Sequence, residues 1–184
     1  MRVFVCLFTL FLPLFAYKDS FYVGGYGGLF NEESSGDRRV EFEGAKSLYG
    51  IRFGWNNNTP SSFYRKNRIE ISADQRSFAV GDETRSGWHA GVSFALGYNL
   101  DLLLTHEIVP FVSIGAGLGK FDTQDNGSEI ALGIGIAYAT RYVECAIEAK
   151  REFWQLQGFR FPFSAPFEGD FSVDTVTAGI NFRF

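Results

Sequence analysis

Residues 171–184 read FSVDTVTAGINFRF. From Asp174 onward the polarity alternates. Val176, Ala178, Ile180, Phe182 and Phe184 fall on one phase; Thr175, Thr177, Gly179, Asn181 and Arg183 fall on the other. A period of two marks a β-strand with one apolar and one polar face. The pattern runs to an aromatic residue at Phe184, with no polar tail. Chain termini usually fray, so a strand carried to its last residue calls for a special setting.

The same period recurs upstream. Residues 20–30, SFYVGGYGGLF, read as a first strand whose facing stays open because glycine occupies both phases. Residues 45–55 set Tyr49, Ile51, Phe53 and Trp55 against Gly50, Arg52 and Gly54; residues 63–73 set Ile69, Ile71 and Ala73 against Arg68, Glu70 and Ser72. The clearest alternation is 87–100, with Trp88, Ala90, Val92, Phe94, Leu96 and Tyr98 on one face. An aromatic residue at each end of an apolar face suits a membrane strand between two interfacial girdles. Residues 108–119, 129–139 and 142–153 continue the series, and 171–184 closes it at eight strands. Strands of about 10 to 13 residues suffice to cross a bilayer at a tilt. Polar stretches at 31–44, 74–86 and 120–128 and the aromatic-rich 154–170, with two prolines, read as long loops, and 56–62, 101–107 and the region of Thr140 as short connections. With both termini on the periplasmic side, the long loops face the cell exterior.

Composition agrees. The chain has Phe 21, Tyr 8, Trp 3 and Gly 21 but Pro 5, which suits a barrel apolar outside and polar inside. Residues 1–16, MRVFVCLFTLFLPLFA, have a basic start, an apolar run and a small residue at Ala16, the pattern of a cleaved secretory signal peptide. The barrel domain is then 17–184. Removing Arg2 from 17 basic and 21 acidic residues leaves a net charge of −5, which gives no reason to expect nucleic-acid binding. Cys145 becomes the sole cysteine, so no internal disulfide forms. On the outward phase it behaves as a small apolar residue.

The segment at 108–119, IVPFVSIGAGLG, resembles the proline–aromatic–glycine strand of the OmpA-like and opacity-type outer-membrane barrel family. Together with the signal peptide, the glycine-rich first strand and the terminal Phe184, the resemblance spans the whole chain. It implies an integral protein of the outer membrane of a Gram-negative bacterium: a closed, all-β, eight-stranded antiparallel up-and-down barrel. It also implies that Ile180, Phe182 and Phe184 are read by the barrel-assembly machinery. No peptidoglycan-binding domain follows in this sequence, so a wall-tethering role is not expected.

The inward phase carries Arg52, Arg68, Glu70, His89, Glu129, Glu144, Glu148, Lys150 and Arg183. Eight strands enclose a space that side chains roughly fill, and charges there must pair because a lone buried charge is very costly. Arg183, on a strand beside the seventh, is expected to pair with Glu144 or Glu148. Arg52, Arg68 and Glu70 are expected to form a second group. Such a network plugs the barrel; the alternative is a narrow polar pore, a small passive channel. Catalysis is not expected: His89 and His106 are the sole imidazoles, and His89-Ala90-Gly91 lacks the His-x-Ser of lipid A deacylase barrels. His106-Glu107 reads as a solvated pair, no metal or cofactor site is indicated, and the glycine pairs are not phosphate loops.

In the last long stretch, Trp154, Phe159, Arg160, Phe161, Phe163 and Phe167 suit an external recognition loop for a host or envelope ligand. Alternatively these aromatics pack in the upper girdle on strands that continue beyond the membrane. Expected partners are therefore outer-membrane lipid, the assembly machinery and that ligand. The reading is a non-enzymatic outer-membrane barrel with an envelope-structural or adhesion-type role. A soluble exported barrel of lipocalin type is the rival from another class, and it requires the apolar phase to face inward.

Overall fold

The computed structural model describes residues 20–33, 43–58, 65–80, 83–103, 106–120, 126–140, 142–156 and 171–184. The expected signal peptide lies outside them. The strands are β1 (Ser20–Glu33), β2 (Glu43–Asn58), β3 (Arg65–Val80), β4 (Glu83–Tyr98), β5 (Leu100–Leu103), β6 (His106–Lys120), β7 (Asn126–Ala139), β8 (Val143–Leu156) and β9 (Phe171–Arg183). They form one antiparallel sheet in the order β4-β3-β2-β1-β9-β8-β7-β6-β5, closed by pairing of β4 with β6. Short β5 continues β4 beyond Asn99, since Gly97 faces Phe111 and Leu100 faces Ile108 in unchanged register. The interruption, at Asn99, falls opposite Val109, beside Pro110, which has no amide proton to give. The barrel therefore has eight staves.

Closure is a physical requirement. Hydrocarbon offers no partner to a backbone N–H or C=O, so an edge within it would leave each group unsatisfied. β1 and β9 meet over their full lengths, and Phe21 and Phe184 exchange N–H···O bonds of 3.2 and 3.0 Å. The terminal residue is thus held by the ladder.

The apolar phase faces outward on every stave. Val23, Ile51, Ile71, Val92, Ile114, Ile134, Ile147 and Ile180 are all exposed, Ile134 by 66 %. A soluble ligand-binding barrel would reverse these faces, which overturns that rival. Along β4 the outer face runs from Trp88 to Tyr98. Ten residues at ~3.3 Å each, inclined by ~40°, span ~25 Å, the height of a lipid-facing band. Tyr49 and Trp88 stand at the upper margin; Tyr98, Tyr138 and Phe182 stand at the lower. The first strand, ambiguous by sequence, turns Tyr22, Gly24 and Phe30 inward and Val23 and Leu29 outward.

Residues 74–80 and 83–86, expected as loop, are strand. β3 and β4 run on as a hairpin until Val80 faces Glu83. Likewise β1 reaches Glu33, β2 starts at Glu43 and β8 reaches Leu156, so parts of 31–44 and 154–170 are strand. The outward residues here are polar, among them Ser47, Gln75 and Ser86, and Arg151 makes a two-pronged ion pair with Asp174 at 2.7 Å. This stretch stands above the lipid, where an apolar outer face has no role.

Ile134→Arg places a charge at mid-band and should cost about 2–4 kcal/mol, whereas Ser47→Arg, above the band, should cost about 0–1 kcal/mol. Reversible urea unfolding in lipid vesicles measures both.

Candidate functional site

The interior holds three tiers of polar side chains. In the lower tier Arg68 of β3 lies with Nη1 3.2 Å from Glu144 Oε1 of β8, its guanidinium 4.5 Å above the Phe111 ring. Glu144 Oε1 also accepts from Asn181 Nδ2 at 2.8 Å, and Asn181 Oδ1 accepts from Arg52 Nε at 2.6 Å. Arg52 in turn stands 3.8 Å from Glu70, which accepts the Tyr22 hydroxyl at 2.7 Å. One chain of contacts thus joins β3, β8, β9, β2 and β1. In the middle tier, Glu148 accepts from Ser113 at 2.6 Å and lies 3.3 Å from Lys150 Nζ.

The upper tier is densest. Arg76 donates twice to Glu152, at 2.6 and 3.0 Å, and once to Asp74 at 2.9 Å. Asp74 also accepts from Tyr26 at 2.9 Å and meets His89 Nδ1 at 2.8 Å. His89 Nε2 lies 2.7 Å from Glu129, an ion contact off the ideal hydrogen-bond line. Trp154 donates to Glu152 at 3.0 Å and sits edge-on to His89. With 0 % exposure Trp154 closes the top of this tier, beside buried Phe30, Leu48 and Val173.

Glycine makes the cross-links possible. Tyr22 of β1 pairs with Gly54 of β2, which pairs with Glu70 of β3. The tyrosine ring lies flat over the glycine, and a Cβ at Gly54 would collide with it. The same arrangement repeats four residues on, through Tyr26, Gly50 and Asp74, where a Cβ at Gly50 would come within 2.8 Å of Tyr26. His89 reaches Glu129 over Gly117 in the same way. Inward glycines therefore mark where a side chain spans a whole strand to reach its partner.

The space left over is small. A cavity of about 30 Å³ is lined by Asp74, His89, Glu129, Glu152 and Thr175, and one of about 20 Å³ by Asn56, Arg68, Phe111 and Glu144. Each has room for one or two water molecules. A wider hollow, about 860 Å³, is on the outer wall over Gly25, Gly27, Cys145 and Ala178, facing lipid. Among the described residues no group of acidic, His and Cys side chains is arranged to hold a metal ion.

The structure gathers Arg52, Arg68, Glu70, His89, Glu129, Glu144 and Glu148 in the buried interior, with Lys150 among them. It corrects the partner of Arg183. That side chain stands at the lower mouth, 3.7 Å from Glu107 and donating to the Thr140 carbonyl at 3.1 Å. Glu144 and Glu148 lie higher and are engaged by Arg68, Asn181, Ser113 and Lys150. Glu107 is therefore an ion-pair member, not one of a solvated pair. Arg52 and Glu70 do pair, while the nearest carboxylate to Arg68 is Glu144. Trp154 belongs neither to an external loop nor to the girdle, because it points inward from β8. Phe159, Arg160, Phe161, Phe163 and Phe167 lie outside the described residues. Sequence reasoning missed Asp74, Arg76 and Glu152; the one available signal was that they continue the inward phase of β3 and β8 beyond the apolar face.

Arg68→Ala strands Glu144 in a dry setting and should cost about 3–5 kcal/mol. Arg183→Ala should cost less, since Glu107 is partly exposed. Tyr22→Phe should cost about 1–3 kcal/mol, and adding Gly54→Ala should fall short of additivity because both disturb one contact. Urea unfolding of the folded barrel measures these variants, with Gly54→Ala alone completing the cycle.

No protein-family model matches the chain, and no curated protein matches it in sequence. Solved structures do. Neisserial surface protein A is 12 % identical, with a TM-score of 0.51 over 89 % of this chain and 97 % of that one. The outer membrane protein OprG from Pseudomonas aeruginosa is 8 % identical, with a TM-score of 0.50 over 90 % of this chain and 95 % of that one. At such identities the likeness speaks to architecture, and both proteins are covered almost end to end. The chain has the fold of the small eight-stranded outer-membrane β-barrels, its apolar belt turned to lipid and its charges enclosed.

Proposed function

We propose that this protein is a sealed outer-membrane barrel, neither channel nor enzyme, that serves envelope structure and presents an external surface for interaction. The observation that carries this reading is the filled interior. Paired side chains cross the lumen at two levels, Arg68 to Glu144 and Arg76 to Glu152, and two interior cavities lined by described residues, about 30 and 20 Å³, are each too small for a hydrated ion to pass. Apolar groups close both ends of the network: Trp154, Phe30 and Val173 above, Val109, Phe111 and Ala137 below.

Catalysis is disfavoured by the same geometry. Both ring nitrogens of His89 face carboxylates, which leaves neither free to activate a hydroxyl. A rigid frame that lifts strands above the membrane suits recognition at its outer end. The β3–β4 hairpin supports this, as it rises past Trp88 with polar outward residues. Neisserial surface protein A, as its name states, is a surface protein, which is in keeping with such a role. Within this reading Ile180, Phe182 and Phe184, all outward-facing, serve as the assembly signal for the barrel-assembly machinery, and membrane lipid covers the belt. Phe159, Arg160, Phe161, Phe163 and Phe167 supply the external contact to a host or envelope ligand.

Conductance of the refolded chain in planar bilayers, after heat-modifiable gel mobility has shown folding, tests the seal. Silent membranes are expected. Reproducible unitary steps would overturn the reading in favour of a small passive channel.

A further inference from the structure

Where β4 meets β6 in the upper half of the barrel, the inner wall is almost bare. The inward positions are Gly87, His89, Gly91 and Ser93 on β4 and Gly115, Gly117 and Gly119 on β6. Gly91 and Gly117 stand directly opposite one another. Cross-strand side-chain pairs contribute much of the stability of a sheet, and glycines provide none. His89 is the one long side chain on this stretch. It reaches to Asp74 on β3 with Nδ1 and, over Gly117, to Glu129 on β7 with Nε2, at 2.8 and 2.7 Å. The ring thus straddles the β4–β6 junction and ties together the strands on either side of it.

A carboxylate accepts and does not donate, so the ring satisfies both neighbours only when both nitrogens carry protons. We propose that the His89 imidazolium is a proton-dependent clasp that holds the β4–β6 junction shut. The groups around it set the balance. Asp74 and Glu129 attract the charge directly, with Glu152 of β8 close behind. Arg76 of β3 opposes it and is itself held by Glu152 and Asp74. Lys150 of β8 lines the same cavity, and Tyr26 of β1 donates to Asp74. That cavity leaves room for water against the ring. When the ring loses one proton, a nitrogen lone pair faces a carboxylate and the tie on that side is lost. The junction then keeps the remaining tie of the ring and the packing of Trp154 over Gly119, so the clasp holds at low pH and weakens as pH rises through the titration of the ring.

The test is amide hydrogen exchange of the folded barrel in lipid, corrected for the intrinsic chemical rate and scanned from about pH 6 to about pH 10, a range that starts near the ordinary imidazole value. In the wild type, peptides covering Gly91 and Gly117 should exchange about tenfold faster above the titration step, the factor expected for losing one charge-assisted bond. β1–β2 peptides should show no such step. His89→Gln should exchange fast at every pH. Glu129→Gln discriminates most sharply, because its amide can accept from the protonated ring or donate to the neutral one. It should stay protected at every pH, with no step. A wild type without a step, or a Glu129→Gln barrel that keeps the wild-type step, would overturn the clasp. Should His89→Gln fail to fold, the wild type and Glu129→Gln still decide.

Discussion

A charge inside a barrel too narrow for bulk water must find its counter-charge within the wall, most often on another strand. Desolvating an ion costs several kcal/mol, and that cost is recovered only when the partner is close and the remaining polar atoms are satisfied. Arg76 shows the solution: its guanidinium is forked onto Glu152 of β8 while its Nε meets Asp74 on its own strand. The other cations follow the same rule. Arg68 crosses to Glu144, and Arg52 bridges Glu70 and Asn181. Because the Arg76–Glu152, Arg68–Glu144 and Arg52–Asn181 ties span strands far apart in sequence, the network reports on closure of the whole barrel. The outer surface obeys the opposite demand, and the alternation of every stave satisfies both.

This division explains which features were legible in the sequence. Wherever lipid touches the barrel, apolar and polar residues must alternate, so β4 from Trp88 to Tyr98 and β7 from Glu129 to Ala139 were plain. Above the lipid the outward residues turn polar, and the alternation disappears while the strand continues. Asp74, Gln75, Arg76 and Ser77 look like a loop for that reason, yet Asp74 and Arg76 anchor the upper tier. Trp154 was misplaced on the same ground: an aromatic beyond the last apolar stretch resembles a surface anchor until the inward phase of β8 is followed to it. Interior residues were identified by phase alone. Their partners depend on height and register, which is why Arg183 went to Glu107 instead of Glu144 or Glu148.

The inward glycines carried more information than their composition suggested. Gly54 and Gly50 are flat ground on which Tyr22 and Tyr26 lie to reach carboxylates two strands away. A small barrel cannot hold eight rows of long side chains, so bare strands alternate with crossing ones. The result is an interior that is rigid where side chains cross and relies on backbone bonds where they do not. Function, on this view, belongs to the outer end, with the enclosed charges supplying stiffness.

The most direct measurement is a double-mutant cycle on Arg76 and Glu152, each replaced by Met alone and together, read by reversible unfolding in lipid vesicles. Each single replacement should be costly and the double one mild, with a coupling of about 3 kcal/mol. A coupling near zero would mean that the two side chains are separately hydrated, and the barrel would then be an open, water-filled tube instead of a cross-braced solid.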